Sequence, residues 1–170
     1  TLYLSVLAFL ISVPLGILFG IISAVKRGKP ADTAVTLTAN VCCCLPQFWL
    51  GILLMYIFTI VLKWLPSSGW VWPCEDFGES VRRTIMPLTC LTIGGIASIT
   101  RQTRSSMLEV IRQDYIRTAK SKGLKGKKVI YIHALKNALL PVITLMGLRM
   151  GGMLGGSVFV ENVFVIPGMG

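Results

Sequence analysis

The chain of 170 residues is 54% hydrophobic and 14% charged, with a mean hydropathy of +0.72, which is too apolar for a soluble domain of this size. Its seventeen Lys and Arg against seven Asp and Glu leave a net charge of +10, and nucleic acid stays in view only until the basic residues are counted by location. Five cysteines, Cys42, Cys43, Cys44, Cys74 and Cys90, form no paired CxxC spacing, so neither a disulfide framework nor a zinc site is indicated.

Residues 1–25 are uncharged and end at Lys26, Arg27 and Lys29, long enough for a helix across a hydrocarbon core that takes about 20 residues. Pro14, Gly16 and Gly20 interrupt this first span and read as sites of close helix contact rather than as moving parts. After the turn KRGKPAD a second charge-free span occupies about 34–62, with Asn40, Pro46 and Gln47 its polar or breaking residues and a bend expected at Pro46. The triplet Cys42 to Cys44 lies within it and reads as small apolar residues packed in a spanning helix. Residues 63–83 hold Trp64, Trp70 and Trp72, two prolines and the acids Glu75, Asp76 and Glu79, the composition of an interfacial loop with an aromatic belt. A third span, about 84–104, is rich in Thr and Gly and ends on Arg101 and Arg104, whose side chains snorkel. The fourth, about 137–160, is apolar except for Arg149 and holds Gly147, Gly151, Gly152, Gly155 and Gly156, where backbones approach closely.

Between the last two spans lies a basic segment, about 105–136. Asp114 is expected to cap a helix in which Tyr115, Ala119 and Lys122 recur at helical spacing, and Gly123 to end it at positive φ. A second helix starts near Lys127 or Lys128. Its apolar face is expected at Val129, Ile132, Leu135 and Leu139, with Lys127, Lys128, Lys136 and Asn137 opposite, so that it lies against a membrane interface. The fold class is all-α: a single transmembrane domain over 1–170, four spans in a multi-span helical bundle, with a cytoplasmic helix pair. The chain opens inside an apolar run and stops at Gly170 without a flanking stop signal, and is read as an internal piece of a longer protein.

Charge orients it. The turn at 26–29 carries three basic residues and 101–136 carries ten, against three in 63–83 that are balanced by three acids. Thirteen against three places the basic segment in the cytoplasm and Cys74 outside. The same asymmetry accounts for the basic excess without a polyanion, and no recognition-helix or RNA motif accompanies it, so nucleic acid is not among the expected partners. No HExxH, GxSxG or P-loop pattern is present, and the one histidine, His133, falls on the polar face of an interfacial helix. Asp32, Glu109 and Asp114 lie on the cytoplasmic side and Glu75, Asp76, Glu79 and Glu161 on the outer side, so the membrane-depth acidic pair of a proton relay is missing. No catalytic, cofactor or metal residue is assigned. An active transporter built from this chain must borrow ATP hydrolysis from another polypeptide, with the cytoplasmic helix pair as the contact. Arg149 sits about twelve residues into the fourth span, near mid-depth at about 1.5 Å per residue. Such an arginine faces a pathway or a partner. Arg149, Pro46 and Gln47 are therefore the candidate translocation-path residues, with a packing pair to a second subunit as the alternative for Arg149.

The segment QDYIRTAKSKGLKGKKVIYIHALKNALLP resembles the cytoplasmic loop of bacterial ABC-importer permeases of the peptide/nickel class. LPQFWLGILLMYIF, WLPSSG, RSSMLEVIRQDY and LGGSVFVENVFVIPGMG resemble the same family in the same order, so the likeness covers essentially the whole chain. The last of these is similar to the first of the two homologous permeases in such systems. The resemblance implies a multi-pass subunit of the bacterial plasma membrane that pairs with a second permease, two cytoplasmic ATPases and an extracytoplasmic substrate-binding protein. It further implies a span before Thr1, with a large external segment, and another after Gly170. By the same resemblance the loop docks on the ATPases through Asp114, Arg117, Thr118, Ala119 and Gly123 and the stretch to Pro141. The wider superfamily has an acidic residue and two alanines before this glycine. Arg117, Thr118 and Ala119 stand there instead, the pattern of the peptide/nickel subset. Arg149 departs from the uncharged polar residue, such as Gln, that members tend to carry. Peptides are the leading substrate. Nickel or another small solute is the alternative, although Cys42 to Cys44 have no carboxylate or His at ligand spacing. A passive channel or regulatory membrane subunit is the competing class.

Overall fold

The computed structural model describes residues 2–168, apart from the side chains at 120, 127 and 153–157. The described residues form helices α1 (Leu2–Val25), α2 (Pro30–Cys44), α3 (Gln47–Met55), α4 (Phe77–Val110), α5 (Asp114–Ser121), α6 (Gly126–Lys128) and α7 (Leu135–Phe164), and no strand among them. A π turn, Tyr56–Val61, prolongs α3, and a second, Val129–Ala134, joins α6 to α7.

Each boundary has a local cause. Pro30 occupies the first turn of α2, where its missing N–H costs nothing. Leu45 and Pro46 are extended, and the chain turns by 97° between α2 and the α3 segment, so the second expected span is a broken helix pair bent at Pro46. By contrast α1 runs unbroken through Pro14. Asp76 starts α4 by accepting a hydrogen bond from the Glu79 N–H at 3.1 Å, which makes residues 77–83 helical where a loop was expected. Two helical stretches, Leu2–Val25 and Val129–Gly152, are long and apolar enough to cross a membrane, and the bent pair counts as a third. α4 is not among them, because Arg83 and Arg101 close its charge-free stretch from both sides.

α4 is the central helix and touches α1, α2, α3 and α7. Its packing on α1 depends on glycine. A Cβ at Gly20 would stand 2.5 Å from Thr103 Cβ and 2.9 Å from the Thr100 carbonyl oxygen, and one at Gly16 would stand 2.7 Å from Ile99 Cβ. Thr100 Oγ1 donates to the Gly16 carbonyl at 3.3 Å across this contact. Of the expected contact sites in the first span, Gly16 and Gly20 are close contacts, whereas Pro14 is exposed.

Two apolar clusters close the ends of the bundle. Leu4, Leu50, Met86, Leu91, Val160 and Phe164 form one, with Leu65 and Trp70 packed on it. Trp70 stands edge-on to both Tyr3 and Trp72, each at a centroid distance of 5.6 Å. Ala24, Met107, Ile116, Ala119, Val129, Ala134 and Ala138 form the other. α1 and α4 thus run from the tryptophan end to the α5 end, and α7 returns.

The π turn corrects the expected face of the second loop helix. One extra residue in the turn brings Val129 onto the same side as Ala134, Ala138 and Val142, all buried, and leaves Ile132 53% exposed. A strict 3.6-residue period would have buried Ile132 instead.

Candidate functional site

Three helices present polar residues to one another at helical spacing. α2 contributes Thr36, Asn40 and Cys43, α4 contributes Gly94, Ser98, Arg101, Gln102 and Ser105, and α7 contributes Leu145 and Arg149. Together with Gln47 at the bend they line a cavity of about 710 Å³. The α4 stripe from residue 94 to 105 is about 16 Å long at about 1.5 Å per residue, so the cavity reaches from the Pro46 bend to the basic end of α4. Arg149 Nη2 donates to Ser98 Oγ, which ties α7 to α4 across the cavity wall. Cys43 Sγ lies 3.8 Å from the same oxygen. Of the candidate path residues, Arg149 and Gln47 meet in this cavity. Pro46 shapes it by ending α2, and its own side chain is not part of the wall.

At the basic end Asp32 is 5% exposed and its carboxylate is fully engaged by hydrogen-bond donors. Arg104 reaches it in bidentate fashion, Nε to Oδ1 at 2.7 Å and Nη2 to Oδ2 at 2.9 Å. Ser23 Oγ at 2.5 Å, Thr36 Oγ1 at 3.3 Å and the Gly28 N–H at 3.1 Å complete the set. This lock fastens α1, the turn after it and α2 to α4 where the cavity ends. From the sequence Asp32 reads only as a turn residue, because Ser23 and Arg104, two of its partners, lie 9 and 72 residues away.

The loop residues divide between two faces. α5 accepts its first backbone bond at the Gln113 carbonyl, so Asp114 is the first helical residue and not the cap; its carboxylate still favours the positive end of the helix. Asp114, Arg117, Thr118 and Gly123 are exposed. Ala119 is 9% exposed and packs with Ile116 into the chain's own cluster beneath α5. Gly123 has φ +77°, with nothing within 4 Å of where a Cβ would stand, and the Leu124 N–H closes the helix end on the Ala119 carbonyl at 3.4 Å. Asn137 Nδ2 donates to Tyr115 Oη at 2.8 Å and holds α5 against the start of α7.

An open polar cavity thus lies within an apolar helical bundle, with a short amphipathic helix outside it. Residues 16–170 match the family described as "Binding-protein-dependent transport system inner membrane component". The chain belongs to this family. A member is an integral membrane protein, in keeping with the long apolar helices. Among curated relatives of this transport-component family, the oligopeptide transport system permease protein AppB of Bacillus subtilis (strain 168) is 40% identical over 98% of this chain and 52% of its own length. The di/tripeptide transport system permease protein DppB of Pseudomonas aeruginosa (strain UCBPP-PA14) is 39% identical over 100% of this chain and 56% of its own length. A putative peptide transport system permease protein of Brucella abortus (strain 2308) is 41% identical over 100% and 54%. The chain thus spans about half the length of the curated relatives it matches. Its fold is similar to the crystal structure of an amino acid ABC transporter with histidines, with a TM-score of 0.70 at 19% identity over 95% of this chain and 67% of that one.

Proposed function

We propose that this chain is the central part of a membrane-spanning permease subunit in an ATP-driven, binding-protein-dependent peptide importer. The observation that carries it is the polar cavity between α2, α4 and α7, in a chain that relatives named as peptide permeases match from end to end. α1, the α2–α3 pair, α4 and α7 are the four spans, and the 26–29 turn and α5–α6 face the cytoplasm of a bacterial inner membrane. Basic residues gathered at that end, where lipid surfaces and the positive-inside rule favour them, support this orientation. α4 crosses despite its short charge-free stretch because Arg83 is paired with Glu79 and Arg104 with Asp32, while α1 and α7 shield its apolar turns. The exposed face of α5 docks on an ATPase, and a second, homologous permease closes the open side of the cavity. Peptide is favoured over nickel by the relatives and by the cavity wall, where Cys42 and Cys43 have no His or carboxylate beside them among the described residues.

The test is reconstitution of the full-length permease with its partner permease, ATPases and binding protein in proteoliposomes. Uptake of radiolabelled trialanine that requires both ATP and the binding protein is expected. Uptake of Ni²⁺ but not trialanine would favour the metal alternative, and flux without the ATPases would favour a passive channel.

A further inference from the structure

The cavity wall contains Arg101, Arg104 and Arg149, and no Asp or Glu lines it among the described residues. These three charges are not equivalent. Asp32 holds Arg104 in a bidentate pair, so its charge is spent on the helix lock. Arg149 is bonded only to a neutral hydroxyl, Ser98, and neither it nor Arg101 has a carboxylate within ion-pair distance among the described residues. The other polar groups of the wall, Asn40, Gln47 and Gln102, are neutral and can bond a peptide's amides without repaying either cation. Arg149 is half-buried between the helices and Arg101 is exposed at the open side of the cavity; a half-buried guanidinium is best met by an anion, and its planar fork suits a carboxylate.

From this we infer that the cavity is an anion-selective transit site, in which Arg149 and Arg101 engage an acidic side chain of the passing solute. The inference rests on the permease reading and adds the charge class that the path prefers. The neutralised Arg104 limits the attraction to the two free guanidiniums, so that the solute is guided but not held.

The experiment uses the complete reconstituted transporter with ATP and binding protein saturating, and compares uptake of Ala-Ala-Asp with that of Ala-Ala-Lys. The binding protein and ATPases are identical throughout, so a change in this ratio between permease variants reports the permease alone. In R149Q the Asp-to-Lys ratio is expected to fall by about tenfold, the size of one charge-assisted hydrogen bond. R101Q should shift it in the same direction, and R149K should keep it within about twofold of wild type because the charge remains. R101Q and R149K decide the matter where R149Q fails to assemble. An unchanged ratio, equal slowing of both peptides, or loss of the ratio in R149K as well as R149Q overturns the inference. Trialanine separates this failure from that of the permease reading: ATP-dependent uptake by the wild type with an unmoved ratio refutes the anion site alone, whereas no such uptake refutes the reading beneath it.

Discussion

Replacing Asp32 with Asn removes one charge from the lock while leaving an oxygen that Ser23 and Thr36 can still address, whereas the amide nitrogen meets the Gly28 N–H. Two guanidinium nitrogens stand 2.7 and 2.9 Å from the carboxylate. Unit charges about 3 Å apart attract by about 6 kcal/mol at an effective dielectric constant of about 20. Much of that is offset by desolvation, and breaking a buried pair on one side costs about 3–5 kcal/mol. The Asp32 side chain is 8% exposed but that of Arg104 is 28% exposed, so water relieves part of the stranded cation. The expected loss is therefore about 2–3 kcal/mol. SDS titration of the full-length permease in mixed micelles measures it, for D32N, R104Q and the double variant. A coupling energy of about 1.5 kcal/mol or more is expected, and the double variant should be little worse than either single one. Additive losses, with a coupling energy below about 0.5 kcal/mol, would refute the claim that this pair fastens α2 to α4.

Three further outcomes follow from the packing and topology. Gly20→Val puts a branched side chain where even a Cβ comes within 2.5 Å of Thr103, so separation of α1 from α4 should cost about 1–3 kcal/mol in the same titration; a wild-type midpoint would contradict the close contact. Gly123→Val forces a β-branched residue to φ +77° at a cost of about 1–3 kcal/mol, and should leave the permease inserted while uncoupling ATP hydrolysis from trialanine uptake; normal coupled uptake would remove the loop's role. Cys74 is exposed at the tryptophan end, and a variant retaining it as the single cysteine should react with an impermeant maleimide in intact cells. Labelling only after permeabilisation would reverse the orientation.

The helical plan was legible because uncharged stretches bounded by Lys and Arg carry their own length signal, and the Pro46 bend because proline cannot continue α2. The start of α4 carried a signal that composition masked: Asp76 and Glu79 form a capping spacing inside a stretch whose tryptophans and prolines suggested only loop. The register that buries Val129, Ala134, Ala138 and Val142 on one side was not legible, since a π turn leaves no mark in a 3.6-residue period. For the same reason of unseen geometry, the packing of Ala119 inside the chain was not legible either. Arg149 and Gln47 stood out singly as polar residues in apolar spans. Ser98, Arg101 and Gln102 could have been joined to them by their spacing on α4, but only the fold brings that stripe opposite Asn40 and Arg149. The Asp32 lock was not legible because its charged partner, Arg104, meets it only through tertiary contact.

The claim that α5 is where this permease meets an ATPase is tested most directly by face-specific crosslinking in the assembled transporter. A photoreactive benzoylphenylalanine in place of Thr118, on the exposed face, should crosslink to the ATPase, and one in place of Ala119 should not, because that side chain points into the chain's own cluster. An ATPase adduct is expected at 118 alone. No adduct at 118 in a complex that still takes up trialanine with ATP, or an adduct at 119 alone, would contradict it.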